Sequence, residues 1–141
     1  MKHEIIVGLE NIQSVVEQLY KLMDRCKVFT FEGPLGAGKT TIIQLLLKKC
    51  GVDEAITSPT FTYVNVYENN RKELFYHFDL YRLHTLDEFF AQGFDEFLYL
   101  ENSWAFVEWP EIIFPLLKKD VCRVTIDYAE NSMRLVVLQV D

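Results

Sequence analysis

The segment Gly33-Pro34-Leu35-Gly36-Ala37-Gly38-Lys39-Thr40-Thr41 satisfies G-x-x-x-x-G-K-[ST], the pattern of a loop that cradles phosphate. The chemistry follows from the residue types. Glycines let the backbone N–H groups of Gly33, Leu35, Gly36, Ala37 and Gly38 turn inward as an anion nest, and a helix that follows adds the positive end of its dipole. Lys39 then reaches the β- and γ-phosphates of a nucleotide, Thr40 offers its hydroxyl to Mg²⁺, and Thr41 holds the α-phosphate from the first helical turn. The expected ligand is ATP with Mg²⁺.

Phosphoryl transfer also calls for an acid that holds the metal or its waters, normally at the end of a neighbouring apolar strand. Asp79 ends Phe75-Tyr76-His77-Phe78, and Glu108 ends Ala105-Phe106-Val107. Glu108 is the stronger candidate, because it stands between Val107 and Trp109 in a segment too apolar for a charge without a partner. In Ser58-Pro59-Thr60 the Thr60 hydroxyl could feel a γ-phosphate as a switch threonine does, although the tripeptide also reads as a plain turn. His77 alternates with Asp79 on one strand face and reads as a satisfied structural histidine rather than a base. Phe89, Phe90, Phe94 and Phe97 recur at helical spacings without basic residues between them, which assigns them to core and not to a base-stacking platform.

These residues need elements to position them. His3 to Leu9 alternates as a strand does, and Asn11 is placed to cap a helix whose apolar face carries Ile12, Val15, Val16, Leu19, Leu22 and Met23. Lys27 to Glu32 reads as a short buried strand leading into the glycine loop. The helix after it carries Ile42, Ile43, Leu45, Leu46 and Leu47 and stops at Lys48, Lys49 and Gly51. Phe61 to Glu68 and Glu73 to Leu83 flank Asn69-Asn70 as a hairpin. Thr85-x-x-Glu88 is a capping box opening a short helix. Trp104 to Trp109 reads as a central strand, Pro110 starts a helical segment interrupted by Pro115, and Val121 to Tyr128 with Met133 to Val140 form a closing hairpin around Glu130-Asn131-Ser132. The sum is one α/β P-loop NTPase domain over residues 1–141 with a mixed, partly antiparallel central sheet.

Composition narrows the function. Of 141 residues, 50% are hydrophobic, enough for one sizeable core and no second domain. The net charge of −7 repels a phosphate backbone over most of the surface, which argues against a stand-alone nucleic-acid binder. No apolar run approaches the roughly 18 residues of a membrane span, and Met1-Lys2-His3-Glu4 does not start like a signal peptide, so the expectation is a cytoplasmic protein with no membrane contact. Cys26, Cys50 and Cys122 are widely spaced and read as buried free thiols.

GPLGAGKTT, SPTF, YHFDLYRL and VEWPE, in this order and spacing, resemble the TsaE family, small bacterial P-loop ATPases needed to make threonylcarbamoyladenosine in tRNA. The resemblance runs from about Phe31 to Glu111, and YHFDLYRL is far more specific than the phosphate loop. Where the family often has an acidic residue at the loop's second position, this chain has Pro34, at a site that does not touch phosphate through its side chain. The resemblance implies Lys39 and Thr40 as phosphate and metal contacts, Thr60 as a switch-like residue, and Asp79 and Glu108 as acids around Mg²⁺, with Lys39, Thr60 and Glu108 serving catalysis. It implies a seven-stranded mixed sheet and an adenine pocket between the first helix and the last hairpin, near Asn11 and Arg134. It also implies the partners TsaB and TsaD, with tRNA met only indirectly through them, which suits an acidic chain. Two other readings stand beside this one: a small-molecule P-loop kinase, which would need a lid supplying arginines where this chain has five Arg and no cluster of them after its last helix, and a nucleotide-sensing module without turnover.

Overall fold

The computed structural model describes residues 1–59 and 62–140. Seven strands form one sheet: β1 (Lys2–Val7), β2 (Val28–Glu32), β3 (Val64–Glu68), β4 (Leu74–Asp79), β5 (Ser103–Glu108), β6 (Val121–Tyr128) and β7 (Arg134–Val140). Their order is β1-β7-β6-β2-β5-β4-β3. The inner four, β6, β2, β5 and β4, run parallel, while β3 and the β7–β1 pair add antiparallel edges. Both faces of the parallel block are covered, which is why Val28 to Phe31 and Ala105 to Glu108 are buried without alternation. The mixed α/β sheet and the strand–loop–helix at its centre agree with the sequence reading.

Two helices, α1 (Ile12–Leu22) and α2 (Lys39–Lys49), cover one face, over Phe29, Phe31, Phe75 and Phe106. The other face packs Tyr76, Phe78, Ala105 and Val107 against α3 (Leu86–Ala91) and two 3₁₀ segments. α2 stops in a Schellman arrangement: Gly51 (φ +92°) donates to Lys48 O and Val52 to Leu47 O, with Lys48 and Lys49 at the negative end of the dipole. α3 starts at the expected box, its Glu88 N–H donating to Thr85 Oγ1 at 3.2 Å.

Several boundaries differ from expectation. β1 ends at Val7, and a 3₁₀ turn over Leu9–Asn11 intervenes before α1. Asn11 occupies the cap position but makes no side-chain cap bond; Ser14 Oγ donates to the Asn11 carbonyl instead. The hairpin strands are shorter than Phe61–Glu68 and Glu73–Leu83. At their turn the Asn69 side-chain oxygen accepts from the N–H groups of Arg71 and Glu73, holding the chain in a loop that Lys72 enters at φ +62°. Phe90 is 44% exposed, unlike the buried Phe89 and Phe94, because α3 is short and turns Phe90 away from the sheet. Cys26, Cys50 and Cys122 are buried and unpaired.

Candidate functional site

The glycine loop leaves the carboxyl end of β2 and opens directly into α2, beside the carboxyl ends of β4 and β5. That is where open α/β sheets bind ligands. Glycine is required at the loop's entrance, since a Cβ on Gly33 would lie 2.3 Å from Ile126 O on the neighbouring strand. At its exit Gly38 sits at φ +113° immediately before the first helical residue. The closing hairpin grips the loop from outside: Tyr128 Oη donates to Leu35 O at 2.6 Å, Arg134 Nε donates to Ala37 O at 3.1 Å, and the Arg134 guanidinium rests over the Tyr128 ring. Tyr128 had no local sequence signal, because its partner lies at the far end of the chain.

Lys39 is 5% exposed. Its ammonium donates to the carbonyls of Gly33 and Pro34 and lies 3.7 Å from the centroid of the Trp109 ring. Burial pushes its pKa down, and the nearby carboxylates of Glu108, Asp79 and Glu111 push back. Strand alternation continued past Glu108 would put Trp109 on the opposite face. The structure corrects this: Trp109 follows β5 at φ +57°, which folds its indole back over Lys39 and into edge contact with Tyr81.

Asp79 and Glu108 are directly paired across the parallel β4–β5 ladder. Glu108 is buried, and both its oxygens accept from Thr40 Oγ1, at 2.9 and 3.0 Å. Its Oε2 also lies 2.7 Å from His77 Nε2, so the histidine assigned to the core touches the site. Its signal was the shared face of His77 and Asp79; what the sequence lacked was the register bringing Glu108 beside it. Burial raises the Asp79 pKa, the N–H of Tyr81 opposes that by donating to its carboxylate, and the Glu108 charge adds to the rise.

A hydroxyl and two carboxylates at the mouth of a phosphate-type loop are a hard-oxygen set of the kind Mg²⁺ uses when phosphate oxygens and waters complete its octahedron. Among the described residues no group of three or more His, Cys, Asp and Glu gathers as an all-protein metal cage.

A cavity of about 450 Å³ opens between the start of α1, the loop and the closing hairpin, lined by Leu9, Ile12, Thr41, Tyr128 and Arg134. Arg134 lines this cavity; Asn11 is exposed, and its neighbours Leu9 and Ile12 form that part of the wall. A second recess, of about 330 Å³, borders the acids and is lined by Leu35, Ser58, Pro59, Tyr81, Arg82 and Trp109. Thr60 lies outside the described residues. A further cavity at Tyr20, Arg71 and Trp104, near the opposite ends of the strands, contains none of the loop residues.

The chain's relatives agree on one family. The family model described as "Threonylcarbamoyl adenosine biosynthesis protein TsaE" matches residues 7–136. A protein of Rickettsia conorii named tRNA threonylcarbamoyladenosine biosynthesis protein TsaE is 33% identical over 130 residues, covering 89% of this chain and 73% of that one. The protein of the same name from Borreliella burgdorferi is 39% identical over 94 residues, 67% of each chain. Among solved structures, Bacillus subtilis YdiB superposes with a TM-score of 0.68 at 26% identity, covering 98% of this chain and 84% of that one.

Proposed function

The chain belongs to the TsaE family, and we propose that it is the ATP-binding and ATP-hydrolysing component of the machinery that makes threonylcarbamoyladenosine in tRNA, resetting an assembly of TsaB and TsaD. The observation that carries this reading is the contact between the Thr40 hydroxyl and the buried Glu108 carboxylate beside Lys39, at the mouth of the loop. Besides the His77 ring, Glu108 meets the Thr40 hydroxyl, and a hydroxyl with a strand-end acid is the pair that P-loop enzymes use to hold metal and water.

The chain's own residues divide the work. Loop N–H groups and Lys39 bind the β- and γ-phosphates, for which Lys39 exchanges its bonds to the Gly33 and Pro34 carbonyls. Thr40, Glu108 and Asp79 form the metal side of the site, and Thr60 belongs to the switch segment between α2 and β3. Mg²⁺, when bound, supplies neutralisation of the charge on the phosphate oxygens. Glu108 orients water at the γ-phosphate. The cavity lined by Thr41, Tyr128 and Arg134 takes the base and sugar. Resetting, in place of phosphoryl transfer to a small acceptor, suits a chain with five Arg and no cluster of them after its last helix.

The test is ATP turnover by the isolated chain and then with TsaB and TsaD added. Slow turnover alone that rises with both partners supports the proposal. Nucleotide binding with no turnover under either condition contradicts it and favours a sensing module.

A further inference from the structure

His77 is fully buried, yet its ring makes one polar contact, from Nε2 to Glu108 Oε2 at 2.7 Å. Its other nitrogen, Nδ1, meets no hydrogen-bond partner among the described residues. A core position that served packing alone is better filled by an apolar side chain, since a buried ring nitrogen without a partner is destabilising. The imidazole is kept where a single N–H matters. The backbone explains why that N–H finds its target: His77 and Asp79 share a face of β4, and in the parallel register His77 pairs with Phe106 and Asp79 with Glu108, so Glu108 reaches back over the ring. Thr40 and His77 thus hold the carboxylate from two sides, one from the first turn of α2 and one from the sheet.

We propose that His77 is a positioning residue for the site: its Nε2–H pins Glu108 Oε2, so that Oε1 is the oxygen presented to metal and water when the Thr40 hydroxyl turns to its own role. A carboxylate oxygen accepts, so the 2.7 Å contact calls for a proton on Nε2, donated to Oε2. Partners of this kind, which orient a ligand without touching the metal, typically change metal affinity or activity by about 10- to 100-fold when removed. The inference rests on the proposed ATPase reading for its purpose, but not for its geometry.

Two variants and one spectrum test it. His77→Leu removes the N–H at similar volume, while His77→Gln puts an amide N–H close to the position of Nε2. The Mg²⁺ concentration that half-tightens nucleotide binding should rise about 10- to 100-fold in His77→Leu, with binding in the absence of Mg²⁺ unchanged, and should return most of the way in His77→Gln. Turnover with TsaB and TsaD should follow the same split, with kcat falling and KM nearly constant. In the metal-free parent, ¹⁵N spectra of the histidine rings should show the His77 proton on Nε2 and a shift of that signal in Glu108→Gln. Equal behaviour of the Leu variant and the parent, equal loss in both variants, or an Nε2 without a proton would overturn the proposal. A parent that never turns over ATP would sink the proposed function, while the Mg²⁺ titration and the ring spectrum would still decide for or against His77. The spectrum of the parent decides the matter if the Leu variant does not fold.

Discussion

Lys39 and Glu108 carry opposite charges into one buried corner, yet neither contacts the other directly: the ammonium is held by loop carbonyls and an indole, the carboxylate by a hydroxyl and an imidazole. Separate tethers keep both groups addressable by a ligand, and they predict separate phenotypes. Glu108→Ala leaves the loop amides and Lys39 in place, so ATP binding should change by a few-fold at most while turnover falls by about 100-fold or more. Calorimetric binding and steady-state turnover on one preparation measure the split, and equal losses in both would assign Glu108 to structure. Asp79 makes a different prediction. Burial holds its pKa above the ordinary value, so the folded chain binds that proton more tightly than the unfolded chain does. The stability this contributes is complete below the unfolded pKa and is lost as pH rises through the folded one. Asp79→Asn should therefore melt higher than the parent at about pH 7, with the difference shrinking toward about pH 3, where the parent carboxyl is protonated in both states. A melting temperature lowered at neutral pH would show that Asp79 is a net stabiliser.

At the scale of elements, the glycine loop is held by the β6–β7 hairpin: the Ile126 carbonyl crowds its entrance, and Tyr128 and Arg134 bond to the Leu35 and Ala37 carbonyls. Gly33→Ala drives a Cβ against the Ile126 carbonyl of β6 and should cost about 1–3 kcal/mol, read by denaturant unfolding. Tyr128→Phe removes only the bond to Leu35 O and should cost about 1 kcal/mol, most of it expressed as weaker nucleotide binding. Unchanged stability in Gly33→Ala would mean that the loop leaves β2 by another path. The loop, α2 and the strand before it were legible in sequence because their signals are local: glycines, a lysine and an apolar period within one stretch. Asp79 and Glu108 were legible as strand-end acids, but their pairing was not, since it depends on the parallel register of strands distant along the chain. The same register hid the contact of His77. The direction of Trp109 was not legible, because alternation holds only while φ stays extended, and one left-handed residue reverses the side chain. Asn11 ends the 3₁₀ turn before α1, between the cavity-lining residues Leu9 and Ile12.

Across the whole molecule, the core places all three thiols out of reach, Cys122 within β6, Cys26 before β2 and Cys50 at the end of α2. Burial pushes the Cys50 and Cys122 thiols up to about 12 and raises Cys26 as well. All three should resist alkylation in the native protein and react on unfolding, as mass spectrometry would show; labelling of native Cys50 ahead of global unfolding would contradict this packing. Among the described residues no helix is long and apolar enough to cross a membrane. A net charge of −7 disfavours direct contact with a phosphate backbone over most of the surface. The proposed function requires that an ATP state and a hydrolysed state differ where partners would feel it, and the recess of Pro59, Asp79, Tyr81, Arg82 and Trp109 is a suitable place for that difference. The most direct measurement of this account is threonylcarbamoylation of tRNA over many turnovers with purified TsaB and TsaD, comparing the parent chain, Glu108→Ala and no added chain. The account predicts sustained modification with the parent and a stall after about one round in the other two reactions. Undiminished turnover without the chain, or with Glu108→Ala, would contradict it.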